Sequence, residues 1–278
     1  MTHVATTPKL IDIEKVFADK NPKLLKLIPK FVINYLKKVI HQERINYFVA
    51  NNTDKQGLAY THAALDYCHA RVSQKGLEQI PTGKRYIFIA NHPLGGLDGV
   101  AFIDVVGQRF PDVKFPVNDI LMHLQGLRTI FVPINKHGAH GKDAARQLEE
   151  AFASDSQILF FPAGMVSRKI KGEITDLEWK KNFVKKAIAH RRDVVPVHIS
   201  GHNSRFFYNL ARFRKLIGLK VNIEMLYLPD EMFNAKTKDI AITFGTPVEW
   251  QKLEDERDAD EWVKELRSRV YGLAGKMR

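Results

Sequence analysis

The rhythm of apolar and polar positions changes partway along this 278-residue chain. From Tyr86 onward, short apolar runs alternate with longer amphipathic stretches. The runs at 86–90, Val113–Val117, Thr129–Ile134, Gln157–Phe161, Val194–Ile199, Lys220–Leu226 and Asp239–Phe244 read as strands, and most are rich in β-branched and aromatic residues. Helical spacing marks the stretches near 99–109, 141–154, 178–190, 202–217 and 256–275. Strands alternating with helices predict an α/β fold, a mixed and mostly parallel sheet covered by helices.

Residues 1 to about 75 look helical and differ in composition. Between Lys20 and Phe48 seven basic residues stand against one acid, Glu43. Phe31/Val32, Tyr35/Leu36 and Val39/Ile40 recur every fourth residue, which places them on one stripe of a helix, with Lys30, Lys37 and Lys38 largely elsewhere. The expected organisation is an N-terminal basic helical extension over residues 1–75 and an α/β domain over 76–278. A basic amphipathic helix with aromatics suits an interfacial membrane segment. It equally suits a helix docked on the domain with its charges in water, and both readings stay open.

The balance of 43 basic and 31 acidic residues gives a net charge of +12, which favours an anionic partner: nucleic acid, an anionic membrane surface or an acidic carrier protein. The basic residues are spread over helices instead of gathered on an aromatic strand face, and no nucleic-acid-binding signature is present, so no nucleic-acid partner is expected. A single cysteine, Cys68, excludes an internal disulfide framework and suits a reducing compartment. Lys or Arg interrupts each apolar run before the roughly 18 residues a membrane span needs, and no secretory leader is visible, so the chain is expected to lie on a membrane without crossing it.

The candidate chemistry centres on Tyr86-Ile-Phe-Ile-Ala-Asn91-His92-Pro93-Leu94-Gly95-Gly96-Leu97-Asp98-Gly99. A buried-looking strand runs into a glycine loop carrying a His and an Asp, and a helix follows. Catalytic groups in α/β proteins tend to sit at the carboxyl ends of strands in this way. A histidine beside a carboxylate can act as a general base, with Asp98 holding the tautomer of His92. Gly95 and Gly96 let a substrate approach the backbone, and free N–H groups at the helix start can face an oxyanion. Taken alone, the pair equally fits a histidine ending a strand and an aspartate capping a helix.

Three further blocks follow: Gly126-Leu127-Arg128-Thr129-Ile130-Phe131-Val132-Pro133-Ile134-Asn135-Lys136, then Phe160-Phe161-Pro162-Ala163-Gly164-Met165-Val166-Ser167-Arg168, then Val194-Val195-Pro196-Val197-His198-Ile199. Arg128, Lys136, Arg168, Lys169 and Lys171 are candidates for gripping an anionic group, against the plainer reading of solvated charges flanking a strand. His137, His140, His198 and His202 are scattered without cysteine or carboxylate partners, so no metal site is expected. Ser167 lacks the Gly-x-Ser-x-Gly elbow of a serine hydrolase.

In this order and at these distances the four blocks resemble the lysophosphatidate acyltransferase family, the PlsC-like glycerolipid acyltransferases. That family carries Asn-His-x4-Asp, a Gly-x-Ile-Phe-x-x-Arg strand, Phe-Pro-Glu-Gly-x-x-Ser and Val-Val-Pro-Val-x-Ile. The resemblance spans about residues 80–250. It implies an O-acyltransferase in membrane lipid biosynthesis that needs no cofactor beyond an acyl thioester, acyl-carrier-protein or coenzyme A, as co-substrate. His92 deprotonates a lysolipid hydroxyl, Asp98 orients it, and no acyl-enzyme forms. It also implies substrate contacts from Asn91, Gly95, Gly96, Arg128, Lys136, Pro162, Gly164, Ser167 and Arg168, and a peripheral place on the cytoplasmic face of the cell's inner membrane. Three departures stand out. Asp98 lies six residues after His92 where the family has five, Ala163 replaces its Glu, and Asn135-Lys136 stands where it has Arg. The catalytic side is nearly intact while the acceptor side differs, which points to the branch acylating lyso-aminolipids such as lyso-ornithine or lyso-glycine lipids. A fold retained for lipid binding without turnover is the other expectation these departures allow.

Overall fold

The computed structural model describes residues 12–20, 27–118, 121–134, 141–234, 238–255 and 257–275. Its centre is a seven-stranded sheet built from β1 (Ala70–Lys75), β2 (Tyr86–Ala90), β3 (Val113–Val117), β4 (Phe131–Pro133), β5 (Gln157–Phe160), β8 (Asp193–Ile199) and β9 (Lys238–Phe244), in the order β1-β9-β8-β2-β5-β3-β4. From β8 to β4 every neighbouring pair is parallel. Only the β8–β9 pairing is antiparallel, and β1 follows β9 in parallel. The expected mixed, mostly parallel sheet is present. A separate antiparallel hairpin, β6 (Arg168–Ile170) with β7 (Glu173–Thr175), follows β5.

β2 is the middle of the sheet, and all five of its residues are fully buried. Its alternation splits the core in two: Tyr86, Phe88 and Ala90 enter a cluster with Phe102 and Phe110, whereas Ile87 and Ile89 enter a second with Phe183 and Trp262. A strand with apolar residues on both faces can only sit between helical layers. It therefore fixes where its carboxyl end, and His92, must emerge.

Most of the expected strands and helices are present, the β6–β7 hairpin and the short helices Leu228–Phe233 and Trp250–Asp255 are additional, and two expectations are overturned. Ala70–Lys75, inside the stretch read as helical, is an edge strand whose exposed Arg71 pairs with Asp239 at 2.7 Å. An edge strand with one face in water needs little apolar alternation, so its polar sequence hid it. Lys220–Leu226, read as a strand, instead forms an irregular turn and a 3₁₀ helix over Ile223–Tyr227. Glu224 there is completely buried, because it is the counterion of Arg168 and Arg214. The side that a strand reading sends outward is the one folded in.

The N-terminal helices Ile13–Lys20 and Lys30–Val39 share a small apolar cluster of Ile13, Ile33 and Ile40. The expected stripe is divided: Val39 and Ile40 are buried, as is Ile33 outside the stripe, while Phe31 and Tyr35 face outward. No helix among the described residues is long and apolar enough to cross a membrane.

Candidate active site

The site lies at the carboxyl edge of the parallel strands. Asn91 leaves β2 and continues its pairing with β8 through a side chain: its Nδ2 donates to the Ile199 carbonyl at 2.8 Å, and its Oδ1 accepts the Ile199 N–H at 2.7 Å. Both ends of the buried amide are used this way, so Asn91 locks the strand end beneath His92.

The backbone of His92 is held on two sides. Its N–H donates to Asp176 Oδ1 at 3.2 Å, and its carbonyl accepts from the Ser167 N–H at 2.7 Å and the Ser167 hydroxyl at 3.1 Å. Asp176 is buried and also accepts the Ser167 hydroxyl at 2.5 Å and the Trp179 indole N–H at 2.9 Å. Its own N–H donates to the Tyr271 hydroxyl at 2.8 Å. Three donors converging on one buried carboxylate make Asp176 the anchor that ties the Ser167 turn to the His92 strand end.

The imidazole of His92 stacks on Phe161, with ring centroids 4.0 Å apart and planes 18° from parallel. Its Nδ1 lies 2.9 Å from Asp98 Oδ2. Asp98 sits in the first turn of the helix Gly96–Arg109, fully buried, and accepts the Leu94 N–H at 2.8 Å and the Gly99 N–H at 2.9 Å. A carboxylate in this first turn also meets the positive end of the helix dipole. Asp98 accepting from Nδ1–H leaves Nε2 as the basic nitrogen.

The loop between His92 and Asp98 turns at Gly95, whose φ of 91° and ψ of −117° suit glycine alone, and Asp98 still reaches the ring. A Cβ there would stand 3.0 Å from Leu228. Gly96 opens the helix and is exposed.

The third block folds as a turn in which Gly164, at φ 64°, donates its N–H to the Phe161 carbonyl at 2.9 Å. Pro162 is buried and its carbonyl takes the Lys180 N–H. Ala163 is buried in the apolar cluster with Ile87 and Ile89. Ser167, read as a substrate contact, points its hydroxyl at the His92 carbonyl and Asp176. Arg168 is buried rather than poised at the surface: its guanidinium reaches Glu224 at 3.0 Å, the Val166 carbonyl at 2.6 Å and the face of Phe207. Burial pushes its pKa down while Glu224 opposes the shift.

Arg128 is exposed on the amino side of β4, away from the strand ends that carry His92, so the two are not brought together. Lys136 and Asn135, like His137 and His140, lie outside the described residues. Phe161, Asp176 and Glu224 contribute to the site without having been singled out. The Asp176-x-x-Trp179 spacing, a carboxylate reaching a donor three residues on, was the signal available for the second.

Residues 15–277 match the sequence model of an acyltransferase family. Two relatives, both named lyso-glycine lipid O-acyltransferase, align over 265 residues each. That of Bacteroides thetaiotaomicron is 48% identical, covering 95% of this chain and 97% of its own. That of Phocaeicola vulgatus is 45% identical, covering 95% of both. The fold is similar to the crystal structure of the 1-acyl-sn-glycerophosphate acyltransferase PlsC from Thermotoga maritima, with a TM-score of 0.50 and 20% identity over 77% of this chain and 76% of that one. Matched along nearly all its length, with a strand-end histidine held on a buried carboxylate, this chain belongs to the acyltransferase family and is an acyltransferase.

Proposed function

We propose that the protein transfers a fatty acyl chain from an acyl thioester to the hydroxyl of a lysolipid at the membrane surface, with His92 as general base and Asp98 as its orienting carboxylate. The observation that carries this reading is the 2.9 Å contact between His92 Nδ1 and the buried Asp98, which leaves Nε2 for the acceptor. Nε2 takes the hydroxyl proton as the oxygen attacks the thioester carbonyl carbon. The tetrahedral oxyanion collapses, the C–S bond breaks, and the departing thiolate takes the proton from the imidazolium. The products are the ester and the free thiol of the carrier, acyl carrier protein or coenzyme A, and no acyl-enzyme is needed.

A lyso-glycine lipid is the acceptor best supported, since both relatives are named for it. The chemistry of the described site agrees. Arg168 is neutralised by Glu224, Arg128 lies away from His92, and Ala163 brings no polar group. A phosphate dianion would find few free cations among these residues.

In this proposal residues 76–278 form the catalytic domain and the N-terminal stretch docks it, peripherally, on the cytoplasmic face of the inner membrane. β1 from that stretch is an integral edge of the catalytic sheet. The test is purified protein with a monoacylated glycine lipid and, separately, acyl-carrier-protein and coenzyme A thioesters, with products read by mass spectrometry. Diacylated product is expected, with lysophosphatidate used at least about tenfold more slowly. Absence of transfer to any lysolipid from either donor overturns the reading.

A further inference from the structure

The helix Arg205–Leu216 carries two apolar faces where a surface helix needs one. Phe207, Tyr208 and Ala211 pack inward. Phe206, Phe213 and Ile217, the latter two seven and eleven residues along from the first, line up on a different side of the helix and are each more than half exposed. Leu216 is 83% exposed, Phe213 55%, and Val221, just past the helix, 66%. Cations border this strip: Arg205, Arg212, Lys215 and Lys220 are all exposed, and no acidic residue occurs between Ser204 and Asn222.

The strip is continuous with the exposed aromatics of the N-terminal helix. Phe206 packs edge-on against Tyr227 at 5.0 Å, and the Tyr227 hydroxyl meets that of Tyr35 at 2.7 Å. Phe31, one turn before Tyr35, is 74% exposed. Two segments far apart in sequence thus share one apolar, basic side.

We propose that residues 205–221 are a second membrane-docking element, which joins Phe31 and Tyr35 in a platform resting on an anionic phospholipid bilayer. This extends the membrane-surface reading above to a segment outside the N-terminal helices. Apolar side chains enter the acyl boundary while flanking cations meet lipid phosphates, and the gain scales with both. Charge decides against a second copy of the chain as the occupant. A two-fold contact would set Arg205, Arg212, Lys215 and Lys220 against their own images with no acidic residue within 205–221 to neutralise them, and Glu231, beside the segment, is already engaged by the Ser204 N–H and hydroxyl. The platform also starts beside the chemistry, since Asn203 donates its Nδ2 to the Pro93 carbonyl at 3.3 Å, one residue from His92. An acceptor leaving the bilayer there has a short path to Nε2.

The experiment is co-sedimentation of the full chain with vesicles of phosphatidylcholine containing phosphatidylglycerol as the minor component, compared with phosphatidylcholine alone. The Phe213→Glu, Leu216→Glu double variant changes two exposed side chains, and its melting curve checks folding. Partition onto the mixed vesicles is expected to fall at least about tenfold. The Arg212→Glu, Lys215→Glu variant is expected to lose most of the preference for anionic vesicles and its salt dependence. Acyl transfer to a short-chain acceptor dissolved as monomers should stay unchanged in the first variant while transfer to vesicle-borne acceptor drops. Vesicle partition of the first variant within about twofold of the parent overturns the inference. So does a parent dimer that the variant turns into a monomer with vesicle binding intact. A parent that docks through this face yet transfers no acyl group keeps the docking inference and defeats the lysolipid reading.

Discussion

Asp98 reaches His92 from inside the helix that follows it, setting its Oδ2 2.9 Å from Nδ1 while two backbone N–H groups fix the carboxylate. The ring is therefore positioned before any substrate arrives, clamped between Asp98 and the face of Phe161. Replacing His92 with Ala should lower kcat by roughly 10²–10⁴ or more, beyond what any loss of stability from the vacated Phe161 stack and the unpaired Asp98 explains. Asp98→Asn should lower kcat on a similar scale, because an amide N–H facing Nδ1 favours the tautomer that protonates Nε2. Steady-state kinetics with folding checked by circular dichroism reads both, and near-parental turnover in His92→Ala would exclude the base assignment.

Gly95 makes that contact possible, and its conformation gives a separate test. A Cβ at φ 91°, ψ −117° is strained whatever surrounds it, and here it would also press on Leu228. Gly95→Ala should cost on the order of 1–3 kcal/mol in urea unfolding and reduce turnover as the loop shifts Asp98. Adding Leu228→Ala should recover only part of either loss, since it relieves the contact and leaves the backbone strain.

The same loop shows why parts of the protein are legible in sequence and parts are not. β2 is visible as a five-residue apolar run bounded by breakers and β3 through the alternation of Val113, Phe115 and Val117, and His92 with Asp98 is visible because both lie within one short loop. Asp176 is not, because its role exists only once a hairpin brings it to a histidine 84 residues away. Arg168 stands out as a cation after a strand, but Glu224, 56 residues on, decides whether that cation is free. The alternation of Val221, Ile223 and Met225 suggests a strand until the burial of Glu224 reverses which side faces in. Local rhythm specifies strands and loops, whereas pairing between distant polar groups is decided by tertiary contacts.

Arg168 therefore belongs with stability more than with acceptor recognition. Removing it leaves Glu224 fully buried with Arg214 alone, whose Nη2 donates to Oε1 at 3.3 Å and whose Nε lies 2.9 Å from Oε2. Arg168→Ala should cost on the order of 1–3 kcal/mol in urea unfolding, less than for an isolated buried pair because Arg214 stays beside Glu224. Arg168→Lys, which keeps a cation for Glu224, should cost less than Arg168→Ala. A stable Arg168→Ala protein whose acceptor KM rises steeply would return Arg168 to the binding site.

Asp176 gives a prediction that separates anchoring from catalysis. Asp176→Ala removes the acceptor of the Trp179 N–H, the Ser167 hydroxyl and the His92 N–H. Each buried donor left unpaired costs about 1–3 kcal/mol, so a large drop in the unfolding midpoint is expected. Asp176→Asn keeps an acceptor oxygen and should retain more stability while still lowering kcat through a looser His92 backbone. Equal, parental kinetics in a stable Asp176→Asn protein would show that the His92 backbone needs no such anchor.

His198 predicts how stability depends on pH. Burial pushes its pKa below the usual 6.5, and Asp176 offsets this only in part. The unfolded chain then binds the proton more readily than the folded one, so ΔG of unfolding rises with pH across this window. Stability is at its full value above about 6.5 and is lost as pH falls from there through the lowered folded value. His62 works in the opposite sense: its hydrogen bond to Asp104 raises its pKa, so its contribution is present below about 6.5 and disappears as pH rises through the raised value. Each therefore needs its own variant. His198→Leu should flatten the acid side of a plot of urea midpoint against pH, and His62→Gln should flatten the neighbouring stretch of opposite slope. An acid slope unchanged by His198→Leu would mean that other groups set the acid sensitivity of the fold.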